Sequence, residues 1–513
     1  MLTKKWTWLV SAVLIVLMLA LTGCQTVQGL DLAQAIHTSA SVKSSQSKSS
    51  LQLELVPGDT SKLTTEEKAA LTALQNVTID LAVLQQDPQH LSAEGKLTYS
   101  KGSVPFKLST DGLKVALSIE GAKKPIVLDI LGGSDLSFLK LIPAALQAPL
   151  GGAVAEIKPA IVDWLLANSP NPANVTVTSA AETVNGESLA LQKAHIALNG
   201  TETSALLQGL LQNLLADEDG LKEVISQLYD ALQPVIDEQI NAGSADFTLN
   251  LLKNKQLVVG LVFSPIHDLL KQLAGSLTAA DASGEPSLTK DLLNPAASLQ
   301  ADIYFDANKQ IRKQSLAINL PLPHSNIGAS AAKITMASEI WNIDKPVKAV
   351  PVSVDGALTI GTGASSIYKV LGNLDKQSVL YMLLKNDLKV TKKEIQLATD
   401  GSGEAADTPQ AYINENWNTM VPVRFVSEKL GADVAWNGAT HEVTITDLVT
   451  GKTIVLTLDS TTALVNGKAV QLESAATLTN SSTYVPIRFI VEEALEANIS
   501  FDEATHVVTI KRD

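Results

Sequence analysis

An internal repeat limits what the C-terminal fifth of the chain can fold into more than any other feature. Met420-Val-Pro-Val-Arg-Phe-Val-Ser-Glu-Lys-Leu430 recurs as Tyr484-Val-Pro-Ile-Arg-Phe-Ile-Val-Glu-Glu-Ala494. Trp436-Asn-Gly-Ala-Thr-His-Glu-Val-Thr-Ile445 recurs as Phe501-Asp-Glu-Ala-Thr-His-Val-Val-Thr-Ile510, and the second copy carries one extra residue between the two blocks. Each copy reads as a Pro-started helix followed by a hairpin. Pro422 and Pro486 fall at the helix start, where a missing N–H costs nothing. Gly431 is placed to be the left-handed residue that stops the first helix, and Asn498 is the expected substitute in the second copy, which accounts for the insertion. Arg424 and Arg488, two of only four arginines, each stand four residues before a glutamate, Glu428 and Glu492. On a helix that spacing makes an ion pair of roughly 0.2–0.5 kcal/mol; the functional alternative is an arginine that binds a carboxylate or a glycan. Asn437-Gly438 and Asn466-Gly467 read as tight hairpin turns between apolar strands.

The pattern V-P-[VI]-R-F-[VI]-x-E, followed by an aromatic residue and T-H-x-V-T-I, resembles the stalk domain also called the copper amine oxidase N-terminal-like domain. That family occurs in secreted and surface proteins of Gram-positive bacteria. The resemblance covers roughly Pro409 to Asp513 and implies a non-catalytic domain with no copper site of its own. The oxidase itself does not fit the chain. Its topaquinone forms from a tyrosine that follows an asparagine, and none of the seven tyrosines does. Its copper site needs a His-x-His pair and a third histidine, and the seven histidines are singletons. His441 and His506 are equivalent in the repeat and invite comparison with paired ligands. A Thr-His turn that leads into a strand is the structural alternative, and it is the reading adopted.

The N-terminus points to a compartment. Lys4 and Lys5 precede an apolar run from Trp8 to Leu21, interrupted only by Ser11. The run is short for a membrane span, which needs about 20 residues, and suits the apolar region of a signal peptide. Leu21-Thr22-Gly23-Cys24 resembles the lipobox of bacterial lipoproteins. That resemblance implies removal of residues 1–23 and acylation of Cys24, giving a lipid-anchored protein on the extracytoplasmic side of the cell membrane. Each buried CH₂ of such an anchor contributes about 0.8 kcal/mol. Cys24 is the only cysteine, which excludes an internal disulfide framework and any cysteine-based metal cluster.

Composition marks the rest as globular: 45% of residues are hydrophobic and 18% charged. The formal charge of −14 repels phosphate backbones, so nucleic acid is not an expected partner. Aromatic residues make up only 4%, so cores must be built from Leu, Val, Ile and Ala. The Ser/Lys tract from Ser39 to Ser50 reads as a flexible spacer, making residues 24–50 a Ser-rich tether. A second break lies at Asp400–Pro409; its alternating acids faintly suggest a calcium loop, and a solvated linker is the reading adopted. A softer junction falls near Lys345–Pro351.

Between these breaks, residues 51–350 alternate two periodicities. Period two marks strands at Val77–Val83, Leu113–Ile119, Leu257–Phe263, Leu299–Phe305 and Leu316–Leu320. Period 3.6 marks a helix from Gly220 to Ala242 and another beginning at Pro265 as its first residue. Strands come in groups with helices between groups, so the expected fold class is α+β, a large antiparallel sheet packed on amphipathic helices. This pattern is similar in architecture to half-barrel lipid carriers of the periplasm and cell surface. Residues 351–400 read as a small, mainly helical appendage with helices around Ile367–Leu374 and Val379–Asn386, and Lys389–Leu397 as a strand. Residues 409–513 form a small α+β domain of two helix–hairpin repeats.

Catalytic motifs do not assemble. Gly451-Lys452-Thr453 resembles the end of a phosphate-binding loop, but Thr446 stands where its first glycine belongs. There is no H-E-x-x-H and no G-x-S-x-G. The expected protein is therefore a non-enzymatic lipoprotein without cofactor or metal. It would contact cell-wall polymer or envelope proteins through the stalk-like domain. The alternative is a carrier that holds a lipid or other apolar ligand in a groove within residues 51–350. A fully packed core is the competing expectation for that region.

Overall fold

The computed structural model describes residues 26–27, 30–129, 143–241, 251–282, 290–291, 293–323, 327–361, 366–399, 410–479 and 481–512. They divide into two units. The larger comprises residues up to Glu120 and Lys124–Thr362; the smaller comprises Gly121–Lys123 and Gly363–Asp513.

The larger unit is built on a twelve-stranded sheet. Its first group of strands is β1 (Ser45–Pro57), β2 (Asn76–Gln85), β3 (His90–Tyr99), β4 (Gly102–Asp111), β5 (Lys114–Ile119) and β6 (Ile126–Asp129). The second group is β7 (Val175–Val184), β8 (Glu187–Asn199), β9 (Ser298–Phe305), β10 (Ile311–Pro321) and β11 (Ala329–Trp341). A short strand, β12 (Leu358–Ile360), completes the set. The order is β12-β6-β5-β4-β3-β2-β1-β11-β10-β9-β8-β7. Every pairing is antiparallel except that of β12 with β6. Two meanders are thus joined where β1 pairs with β11, in a register running from Trp341↔Gln46 to Ala329↔Pro57.

Among the described residues six helices accompany the sheet: α1 (Leu32–Ala40), α2 (Thr65–Leu74), α3 (Ala144–Asn168), α4 (Gly200–Ala216), α5 (Glu218–Asn241) and α6 (Lys255–Ala282). Caps explain where several begin. Thr64 with Glu67, and Asn199 with Glu202, form reciprocal capping boxes at α2 and α4. Asp217 accepts from the backbone N–H of Gly220 at the start of α5, and also from Asn168 Nδ2 and Trp164 Nε1. The Asn168 bond, with that of Gly220 and then Trp164, holds the Asp217 carboxyl below its ordinary pKa. Alternation puts Leu55, Ile196, Leu198, Leu299, Leu316, Ile318 and Leu320 on one face of the sheet, where they pack on Leu206, Leu207 and Leu211 of α4. Each such leucine or isoleucine, fully buried, contributes roughly 1.5–3 kcal/mol. At the other end of the helical layer, α3 meets the β4–β5 turn through glycine. A Cβ on Gly151 would lie 2.9 Å from the Gly112 Cα.

Three sequence expectations are corrected in this unit. The Ser39–Ser50 tract is no spacer: it ends α1 and opens β1, with Ser47 facing Ile340 on one side and Val83 on the other. Ladder hydrogen bonds on both edges hold a strand whose side chains carry little hydrophobicity. Leu257–Phe263 is not a strand but part of α6, which also carries Pro265 in its interior rather than at its start. That stretch is apolar at every position except Gly260, so period cannot decide it. Packing of Val258 beside Leu232, Val235 and Ile240 of α5 decides for helix. The junction near Pro351 is no boundary either. Val350 and Val352 donate their N–H groups to Ser92 Oγ and Ser109 Oγ, and the chain continues into β12 of the same sheet.

The smaller unit contains a helix, Ser366–Asn373, and a second turn of helix at Val379–Met382 that runs on as a π-helix, Leu383–Asp387. Three small sheets follow. Strand Lys393–Ala398 pairs with Val507–Arg512, and Ile395 and Leu397 are buried in the same core as Val421, Val426, Ile445, Val485 and Ile490. The 409 boundary therefore cuts a sheet. The break at Asp400–Pro409 lies outside the described residues, as do residues 1–25 with the signal segment and Cys24.

Both copies of the repeat carry a strand before the helix. Pro422 ends strand Thr419–Pro422 and Pro486 ends strand Ser482–Pro486, and the two strands pair with each other through Val421↔Val485. Pro422 therefore flanks helix Val423–Lys429 as its N-cap instead of opening it. The extra residue of the second copy sits inside the helix. Phe489–Ala494 is a π-helix, with the Leu495 N–H bonded to the Ile490 carbonyl where copy one bonds Leu430 to Val426. The left-handed stop is Glu496 (φ 53°), not Asn498, which opens strand Asn498–Asp502. Gly431 has φ 88°, and a Cβ there would stand 2.8 Å from the Tyr368 ring.

Candidate functional site

Cross-strand pairing carries one apolar face across the whole large sheet. Leu51 faces Met336 and Ile79; Ile79 faces Leu97, and Leu97 faces Val104. Phe106 and Leu108 then face Ile119 and Leu117, and Leu117 faces Ile126. Directly paired residues share a face, so this row continues the face that packs on α4. Its exposure is uneven. Over β8–β10 most large side chains are buried, whereas Ile79, Leu81, Val83, Leu97, Phe106, Leu108 and Leu117 are only half-buried, with Val104 and Ile126 buried among them. Leu51 lies on the seventh of twelve strands and is still 39% exposed. A central strand has no edge to explain that. Cover over this part of the face is incomplete at Leu51 and its half-buried neighbours.

The former spacer supplies the floor beside it. Ser45, Ser47 and Ser49 alternate onto the same face as Leu51, next to Leu81 and Val83. Small hydroxyls amid aliphatic neighbours lower the surface without making it fully apolar. Ser338, paired with Ser49, is 6% exposed and its Oγ has no hydrogen-bond partner. An unmet hydroxyl at this depth costs free energy unless another group meets it. The opposite face mixes a buried apolar cluster, Val184, Leu191 and Tyr304 with Trp341 beside them, with ion pairs. There Asp302 accepts from Lys193 Nζ at 2.9 Å and lies 2.6 Å from His195 Nδ1. Burial pushes the Asp302 carboxyl up, but the bonds to His195 and Lys193 outweigh it and leave it below its ordinary value.

Helix α6 adds a second apolar surface. Its Lys255–Leu277 stretch is, among the described residues, the one helix long and apolar enough to cross a membrane. In this fold it lies beside α5 and α4, with Leu257 and Leu261 exposed. A separate open recess of mixed character is lined by Ser41, Lys43, Ser44, Gln86, Asp344 and Lys345 together with the apolar Pro346 and Val347.

In the smaller unit the residues singled out by the repeat have structural places. Arg424 Nη1 donates to Glu428 Oε1 at 3.0 Å and to the Val434 carbonyl at 2.9 Å. Arg488 and Glu492, flanking and within the π-helix Phe489–Ala494, make no such pair among the described residues. His441 (φ 53°) and His506 (φ 52°) each close a four-residue hairpin loop in the left-handed region. They belong to different sheets, with Trp436 and Phe501 as their ring neighbours. Asn437-Gly438 is therefore not a two-residue turn, whereas Asn466-Gly467 is one, joining Val465 to Lys468. Gly451 lies in the turn before strand Thr453–Thr457, and Lys452 pairs with Glu496.

Sequence reasoning missed two features. Arg512, 5% exposed, donates to the Leu430 carbonyl and at 2.6 Å to the buried Asp447 carboxylate. Trp417 is 87% exposed at φ 60°, a region that costs an L-residue roughly 1–2 kcal/mol. No curated protein and no solved structure matches the chain. Residues 401–510, about a fifth of its length, match the copper amine oxidase N-terminal domain family, so the C-terminal part is similar to that non-catalytic domain.

Proposed function

We propose that this is a non-enzymatic, lipid-anchored binding protein of the cell envelope. Its larger unit holds the acyl chain of a lipid, or a similar apolar ligand, against the half-open sheet. Its stalk-like C-terminal unit contacts envelope components. The observation that carries the ligand reading is Leu51: a leucine on the helix-side face of a central strand, 39% exposed, amid half-buried aliphatic neighbours. Apolar surface left open beside a packed core is the character of a site for an apolar molecule. The lipobox-like Leu21–Cys24 supports the anchor, and the family match supports the stalk-like unit.

The test is an acyl-chain fluorophore titrated into delipidated full-length protein. Saturation near one probe per chain, competed by phospholipid and weakened about tenfold by Leu51→Gln, is the expected result. Weak, non-saturating uptake that Leu51→Gln leaves unchanged sinks the ligand reading. Cys24→Ser should move the protein from the membrane fraction to the soluble one; retention in the membrane removes the anchor from the proposal.

A further inference from the structure

We propose that Trp417 is a docking residue for a neutral glycan chain. It lies in the loop joining strand Tyr412–Ile413 to strand Thr419–Pro422. The loop is tightly pinned. The Trp417 N–H donates to the Asn414 carbonyl and the Asn414 N–H to the Asn418 carbonyl, each at 3.0 Å. Asn414 Oδ1 accepts from the N–H groups of Asn416 and Asn418 at 3.0 and 2.9 Å. The side-chain amides of Asn414 and Asn418 both donate to Ser474 Oγ, at 3.0 and 2.7 Å. This is a turn followed by one left-handed residue, a position that favours glycine.

The second copy of the repeat provides an internal control. Ser481 stands four residues before Val485, as Trp417 stands four before Val421, and its φ is 61°. The backbone requires only that this residue be left-handed, and copy two meets the requirement with a small side chain. Copy one places the bulkiest side chain at the same backbone angle and leaves it 87% exposed. Neither the turn nor the core uses the indole, so a surface contact remains as its use.

The surroundings favour a sugar. An indole offers a flat apolar face whose negative π-cloud attracts the weakly positive C–H groups of a pyranose ring. Beside it the side chains of Glu415 and Asn416 are exposed, placed to meet hydroxyl groups. No lysine or arginine lies between Tyr412 and Met420, and the chain carries −14. That charge disfavours anionic lipid surfaces and phosphate-rich polymers. A protein hot spot would seat the ring among neighbours that exclude water, and here its flanks are polar and open. The inference rests on the reading of the small unit as an envelope-contacting module and is independent of the acyl-chain site.

The experiment titrates the full-length protein with a hexamer of N-acetylglucosamine by calorimetry. Trp417→Gly should weaken binding at least tenfold while the melting temperature holds or rises, since glycine relieves the backbone. Trp417→Tyr should bind within about threefold of the unchanged protein. The assignment is overturned if the unchanged protein does not bind the hexamer, if Trp417→Gly binds equally well, or if Trp417→Gly melts several degrees lower. It is also overturned if that variant keeps hexamer binding and loses instead its uptake on phosphatidylcholine vesicles or its self-association. Failure of the envelope reading shows separately, as fractionation of the unchanged protein with the cytoplasm.

Discussion

Arg512 and Asp447 show how one pair of side chains fixes the small unit. The Asp447 carboxylate is inaccessible and is met by Arg512 Nη2, the Val449 N–H and the Thr450 hydroxyl. Arg512 Nη1 reaches the Leu430 carbonyl at the end of the first repeat helix, so one guanidinium fork ties a helix end to a strand end. Removing one partner of a buried, fully hydrogen-bonded pair leaves the other charge unmet, which costs about 3–5 kcal/mol. Arg512→Met should lower the small unit's unfolding free energy, measured in urea, by that amount, and Arg512→Lys should recover little, because a point charge cannot make both bonds. A loss of unfolding free energy under about 1 kcal/mol would show the pair to be incidental. Asp217 gives a pH-dependent counterpart in the large unit. Its folded pKa is depressed, so its contribution is present above the ordinary carboxylate value and is lost as pH falls through the lower folded value. Asp217→Asn keeps a capping acceptor, so the variant should be less stable near neutrality and lose less of its melting temperature between about pH 5 and pH 2. Parallel acid profiles for the two proteins would contradict this.

At the scale of elements, the π-helix Phe489–Ala494 explains how a repeat with an insertion still builds equivalent halves. The flanking strands keep their places because the extra residue widens one helical turn instead of displacing the hairpin. Deleting Ala494 restores the spacing of copy one, so the unit should retain a single unfolding transition and shift by no more than about 1 kcal/mol, within the range of ordinary single substitutions. It should also bring Arg488 and Glu492 into the pairing seen for Arg424 and Glu428. Loss of cooperative unfolding in the deletion variant would mean that the π-turn is required by the core. Strand β1 makes a different point about elements. Its serine half has weak strand chemistry of its own, yet it pairs on both edges, which is why composition suggested a tether and the ladder shows a central strand.

For the whole molecule, unit boundaries follow where sheets close and not where composition changes. A fragment from residue 363 to Asp513 keeps the strand Lys393–Ala398 and Tyr368, which packs beneath Gly431. One from residue 410 loses both and strips Ile395 and Leu397 from the core, at roughly 1.5–3 kcal/mol each. The longer fragment should show a cooperative thermal transition and the shorter one should melt much lower or not at all; equal melting would place the boundary back at residue 409. The sequence by itself determined the period-two strands at Val77–Val83 and Leu299–Phe305, the amphipathic helix that became α5, the repeat with its family likeness, and the α+β class. These are local signals, since side-chain period, a left-handed Gly431 and the Asn466-Gly467 turn depend on a few neighbouring residues. Only the tertiary structure decided that Ser45–Ser50 is mid-sheet, that Leu257–Phe263 is helical, that Pro422 and Pro486 end strands, and that Leu51 stays half-open. Each of those depends on what lies across a ladder or a helix interface far away in the chain, and pairing partners leave no mark in the period of the segment they complete.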